Sequence, residues 1–288
     1  MALSVMTMKA QIFDVTGISR IGNANVEQVA LSADGSFVLT PGAKGGIQRV
    51  DIATGESSQL TDGARVYDIA ITSDGKNAVY NEATYKKQLR YVALKSVDLD
   101  TKKTRTLVKA SRKLNAGIAI SGNTVCAVEN NKLKTVALAG KKTAPQAMVS
   151  INYGHLDLTV DGKTVTLDPQ GRGSYLWPSL SPDGTKIVYW LVGRGAFVCD
   201  LQGNNIANLG ELRAPVWAGN DIVIGMKDSD DGVALTASDI IAADLNGQRQ
   251  TLTDGSVIAI YPSASADASR VAFSTPEGQL YIINLQKR

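Results

Sequence analysis

Short apolar runs recur along this chain, and the same small polar turn separates many of them. The clearest case is Leu180-Ser181-Pro182-Asp183-Gly184-Thr185-Lys186-Ile187-Val188-Tyr189, where one apolar run enters a Ser-x-Asp-Gly turn and a β-branched run leaves it. Close copies stand at 31–39 and 71–80, and a worn copy at 264–273 has Ala268 in place of the glycine. Apolar runs flanking Asp-Gly predict β-hairpins. Two further copies turn on Gly122-Asn123 and Gly219-Asn220, which meet the same need for a positive φ.

Around each hairpin the polar pattern resolves two more strands. A third strand ends in an Asp-Leu type step, as in 47–52, 94–99, 196–201, 240–245 and 280–285, and an outer strand precedes the next unit, as in 57–63, 104–110, 206–210 and 249–255. Pro178, Pro215 and Pro262 each fall three residues before the end of a first strand, an agreement the alignment did not impose. Four short strands in units of about 40–50 residues predict a β-propeller. The expected fold is therefore all-β: a single domain over 11–288 with six blades of four antiparallel strands. The last unit has no outer strand of its own, and the strand at 11–21 has no unit, so the N-terminal strand is expected to close the last blade. One interval, from Ser121 to Ser181, is longer than the others. Its excess, 144–161, reads as a hairpin inserted in the third blade, with a degenerate seventh blade as the alternative.

The Ser-Pro-Asp-Gly-x-x-Ile/Val-x-Tyr/Phe pattern, the Asp-Leu strand and the Leu-Thr-Asp-Gly ending at 60–63 resemble the TolB-type propeller repeat of bacteria, over nearly all of 11–288. The resemblance is specific for fold and less so for function. It implies a non-catalytic scaffold in the bacterial cell envelope, although relatives of the repeat also serve as accessory domains of peptidases and as enzymes.

Composition adds three points. No apolar run has the length of a membrane span. Residues 1–10 look like the tail of a secretory signal peptide without its charged start, so a periplasmic or secreted protein is expected. Charge is unevenly placed, with fourteen Lys or Arg against Asp98, Asp100 and Glu129 between Lys86 and Lys142. That sector suits an anionic polymer, or its lysines guard outer edge strands against pairing. Cys126 and Cys199 lie in different units and read as small core residues, not as a disulfide.

Catalytic signatures are sparse. Gly162-Lys163-Thr164 lacks the remaining glycine of a phosphate loop, and no Gly-x-Ser-x-Gly elbow occurs. The single histidine, His155, cannot build a histidine-rich metal site. Asp228-Ser229-Asp230-Asp231-Gly232 has the carboxylates of a calcium loop's start but lacks the later Glu, and reads as a solvated turn. No catalytic residue, metal or cofactor is expected. More telling is the ring formed by the residues four before the end of each first strand: Gln28, Asp68, Gly117, Trp177, Ala214 and Tyr261. With the adjacent Tyr67, Tyr175 and Arg213, this ring places aromatic and charged anchors at the channel mouth. Trp217 is read as packing between blades. The candidate ligand-binding set is Tyr67, Asp68, Tyr175, Trp177, Arg213 and Tyr261, holding a protein or glycan partner on a monomeric protein that binds no nucleic acid. The alternative is a carbohydrate lyase or hydrolase using channel carboxylates such as Asp68.

Overall fold

The computed structural model describes residues 11–114, 117–130, 132–143 and 147–288. Residues 1–10, the expected signal-peptide remnant, lie outside the described residues.

The recurring turn is a clasp of side-chain hydrogen bonds. Ser32, Thr72, Ser181 and Ser265 each donate their hydroxyl to the Asp two residues on, at 2.6, 2.6, 2.5 and 2.7 Å. Each hydroxyl also accepts the backbone N–H five residues on, that of Phe37, Asn77, Lys186 or Arg270, at 3.0–3.1 Å. Each Asp in turn accepts the N–H two residues beyond itself at 3.0 Å. The pattern needs a hydroxyl, a carboxylate and a residue at positive φ; Gly35, Gly75 and Gly184 supply the last at 68–71°, and Ala268 supplies it under strain at 58°. These bonds hold all four carboxyls below the usual range. The hydroxyl dominates for Asp34, Asp74 and Asp183, and the Ser269 N–H, then the Ser265 hydroxyl, for Asp267.

The hairpins build seven antiparallel sheets. Blade 1 spans 30–61, blade 2 65–111, blade 3 119–137, blade 4 148–166, blade 5 175–210 and blade 6 213–251. Blade 7 holds Ile260–Ala264, Arg270–Ser274 and Leu280–Lys287, and Phe13–Arg20 lies along its far side, with Phe13 opposite Lys287 and Arg20 opposite Tyr281. Blades 3 and 4 have three described strands each and the rest have four.

The expected count of six blades is corrected to seven. What was read as an insertion is a sheet in its own right: Met148–Asn152, His155–Val160 and Lys163–Thr166. Its two turns are Tyr153-Gly154 and Asp161-Gly162, with φ of 51° and 85°, then 50° and 76°. Paired positive φ values at a two-residue loop are the I′ solution for a hairpin. This blade carries no hydroxyl clasp at its first turn, so an alignment anchored on the clasp passes over it.

Seven apolar clusters fill the seven gaps between consecutive blades, including blade 7 against blade 1 through Val38, Val50, Ala272 and Ile282. The ring is therefore continuous, held by burial between sheets. The thinnest joint is between blades 3 and 4, where the buried members are Cys126, Val128 and Met148. Both cysteines are free and buried, and burial pushes the Cys199 thiol up to about 12. Among the described residues no helix is long and apolar enough to cross a membrane.

Candidate functional site at the channel mouth

Four inner strands break register at the same place. The shifts fall between Tyr67 and Ala70, Leu176 and Ser179, Arg213 and Val216, and Ile260 and Ser263. At each, the residue in the gap is left-handed: Asp68 at 50°, Trp177 at 48°, Ala214 at 47° and Tyr261 at 52°. In three of the four the next residue is proline, which has no N–H to leave unpaired at a bulge. Gly117 holds the equivalent place in blade 3 at 106°. A non-glycine residue in this region costs about 1–2 kcal/mol, and such outliers gather where a fold aims side chains for a purpose.

The bulges turn these side chains inward. Gln28, Asp68, Trp177, Ala214 and Tyr261, from five blade positions around the ring, line one cavity of about 180 Å³ at its centre. A larger cleft of about 1160 Å³ follows the inner strands of blades 3, 4 and 5, and shares Asp68 and Trp177 with the first. In that cleft the hydroxyl of Ser179 is buried and has no hydrogen-bond partner.

Asp68 is the one carboxylate among the described residues of either lining. Burial raises its pKa, opposed by a hydrogen bond from Asn81 Nδ2 at 3.2 Å and by the charge of Arg90. The Arg90 guanidinium itself lies 4.5 Å from the centre of the Tyr67 ring. Trp177 packs on the core between blades 6 and 7, with the Arg213 guanidinium 5.8 Å from its ring. Tyr261 is 36% exposed, and its N–H points to the Met226 sulfur at 3.5 Å.

Asp68, Trp177 and Tyr261 are thus brought together as the ring pattern predicts, beside Gln28 and Ala214. The other three named residues stand elsewhere. Tyr175 is fully buried between blades 4 and 5, its ring 5.2 Å from Tyr189, its hydroxyl donating to Gly171 O at 2.8 Å and accepting the Gln170 N–H at 3.0 Å. Its expected exposure is corrected: the hydroxyl is satisfied inside the protein. Tyr67 is half-buried against the cluster between blades 2 and 3, and lines neither cavity. Arg213 forms an ion pair with the buried Asp228, which removes that carboxylate from any calcium loop. Asp230 and Asp231 accept N–H bonds from Gly232, Val233 and Ala234, the pattern of a simple turn. Trp217 joins blades as expected, donating to Ser179 O at 3.1 Å. His155 bonds Asp168 through Nδ1 at 2.5 Å and lines neither cavity. Among the described residues no three His, Cys, Asp or Glu gather as a metal site.

Two residues of the site escaped the sequence reading. Asn81 stands in the strand Asn77–Lys86 between Tyr80 and Glu82, where nothing in the residue order marks its burial beside Asp68. Ser179 follows the aligned Pro178 and had no distinguishing mark.

In solved structures the fold is similar to that of an oligogalacturonate lyase in complex with manganese, at 16% identity over 91% of this chain and 77% of that one, with a TM-score of 0.53. The oligogalacturonate lyase of Vibrio parahaemolyticus is similar at 13% identity over 88% of this chain and 76% of that one, TM-score 0.52. A chain of the mitotic checkpoint complex is similar at 9% identity over all of both chains, TM-score 0.65. At these identities the likeness shows a β-propeller and nothing finer. No family model and no curated protein matches the chain.

Proposed function

We propose that the protein is a non-catalytic binding scaffold of the TolB-like kind, which seats a protein or glycan partner at the channel mouth in the bacterial cell envelope. The observation that supports this most directly is the shared cavity of Trp177, Tyr261, Asp68 and Gln28, three of them non-equivalent side chains presented by rigid inner strands. Aromatic faces beside a carboxylate and an amide offer stacking and directed hydrogen bonds to one ligand, while the sheets hold them in place. The envelope setting is supported by the repeat's resemblance to envelope propellers.

A second reading, a carbohydrate-active enzyme, draws on the raised pKa of Asp68 within the cavity. Hydrolysis of glycosides ordinarily needs a second carboxyl group across the bond, and the described lining residues supply Asp68 alone. Scaffold binding is therefore the better supported of the two.

The test compares wild type with a Trp177→Ala, Tyr261→Ala double variant in pull-downs from envelope fractions and on a glycan array, after thermal melts of both. Capture by wild type that is lost in the variant, with both folded, is the expected result. Equal capture by both would place the binding face elsewhere. Turnover of an oligosaccharide that disappears with Asp68→Asn would favour the enzyme.

A further inference from the structure

Among the described residues the rim of blade 3 is one strand short. Its sheet ends at Lys132–Ala137, and no described strand pairs with the outer side of that strand. Apart from the Ala137 carbonyl, its outward N–H and C=O groups are an open ladder. Blade 2 beside it extends one strand further, with Thr104–Ser111. That strand is tied to blade 3 near its start, and the chain just beyond its end makes a second tie. The Arg105 guanidinium donates to the Ala137 carbonyl, and the Lys113 carbonyl accepts the Asn130 N–H at 2.9 Å. Between the ties, Leu107 and Val108 pack on the cluster shared with Val125 and Ala127 of blade 3. The open edge is therefore a slot about one strand spacing deep, roughly 4.8 Å, walled on one side.

The slot is lined with unopposed positive charge. Lys109, Arg112 and Lys113 on the wall, and Lys132 and Lys141 at the edge, are exposed and have no described carboxylate within ion-pair distance. Of the acids in this sector, Glu129 lies 3.6 Å from Lys134 and Asp98 accepts the Thr101 N–H at 2.7 Å, while Asp100 stands exposed in the turn before Thr104. From Arg105 to Lys113 the wall runs roughly 26 Å at the usual rise of a strand.

We propose that this slot receives an acidic segment of another protein in extended conformation, which adds the missing fourth strand to blade 3 and sets its carboxylates against Lys109, Arg112, Lys113 and Lys132. The backbone edge supplies main-chain hydrogen bonds and the lysines select the charge. A second copy of this chain is a poor occupant, because its own open edge here brings the same lysines against these. A polyanionic glycan has the charge but no ladder of N–H and C=O groups to satisfy the edge. Blade 4 offers a control, since its own open edge, Lys163–Thr166, is flanked by Asp161 and Asp168.

The experiment uses the full chain and a fluorescein-labelled twelve-residue peptide of alternating Asp and Val, followed by anisotropy. Saturable binding is expected. A Lys109→Glu, Lys132→Glu variant should weaken it at least tenfold, while Lys163→Glu should leave it within twofold; melts establish that all are folded. Two further peptides, N-methylated on the odd or the even residues, separate backbone pairing from charge. One of them should bind at least tenfold more weakly at unchanged charge. Equal binding of both methylated peptides, no binding of the parent peptide, or retention of polygalacturonate without the peptide would overturn the proposal.

Discussion

Removing one hydroxyl from the repeated turn tests whether the clasp carries stability. Ser181 is 3% exposed, and Ser181→Ala takes away both the donor to Asp183 and the acceptor of the Lys186 N–H. Leaving that partly buried N–H without a partner costs about 1–3 kcal/mol, of which about 2 is a fair central value. Unfolding entropy near 2.1 cal/mol/K per residue gives about 0.6 kcal/mol/K for a chain of 288 residues, so Tm should fall by about 3 °C. Ser181→Thr keeps the hydroxyl, as Thr72 does naturally in blade 2, and should hold Tm within about 1 °C of wild type.

The pH dependence adds a second arm with a definite sign. Asp183 has its pKa lowered in the fold chiefly by the Ser181 hydroxyl. A lowered carboxyl pKa contributes stability that is full above the unfolded value of 3.8 and is lost as pH falls through the folded one. Without the hydroxyl that contribution shrinks, so the deficit of Ser181→Ala should be largest near pH 7 and narrow progressively below about pH 4. Urea titrations at both ends of this range measure it. A deficit under about 0.5 kcal/mol near pH 7, or one that does not narrow on acidification, would refute the account of the clasp.

Other expectations follow from the same geometry. Asp68→Asn should stabilise the protein at neutral pH, since a carboxyl whose pKa is raised by burial contributes fully below its unfolded value and loses that contribution as pH rises through the folded one; the gain should vanish in acid denaturation series below about pH 4. Met148→Ala, at the thin joint between blades 3 and 4, should cost about 2–5 kcal/mol in urea unfolding and speed hydrogen exchange first in those two blades. Ala214→Gly relieves a left-handed alanine at 47°, but the larger entropy of the unfolded glycine and the loss of a buried methyl offset the relief, so stability should stay within about 1 kcal/mol of wild type in urea unfolding. Tyr261→Gly relieves the same strain but deletes an anchor, so it should keep stability while losing ligand at the mouth.

What could be read from the chain was local. A hydroxyl and an aspartate at fixed spacing, followed by glycine in blades 1, 2 and 5 and by Ala268 in blade 7, define the clasp within six residues, so these four hairpins announce themselves. Blade 4 solves the same hairpin with Tyr153-Gly154 and Asp161-Gly162, two turns that satisfy φ through the backbone alone. It is equally well formed and carries no shared signature. The ion pair of Arg213 with Asp228 and the reach of Asn81 to Asp68 join a first strand to the second, and nothing in the residue order marks either.

Tyr175 shows why the channel ring was readable and its flanks were not. Along a regular strand, residues two apart share a face, so Tyr175 and Trp177 should point the same way. The left-handed bulge at Trp177 breaks that parity. Tyr175 enters the core between blades 4 and 5, and Trp177 lines the channel. The same break recurs at Asp68, Ala214 and Tyr261, so a count made from the end of each strand stays correct up to the bulge and fails beyond it. Four such bulges cost the fold several kcal/mol together, at about 1–2 each. That is a large fraction of the stability of an ordinary domain. Straight inner strands would avoid the cost and would keep Trp177 on the same face as Tyr175. The strain accompanies the meeting of these three side chains in a single cavity, and that is the physical reason for placing the candidate site there.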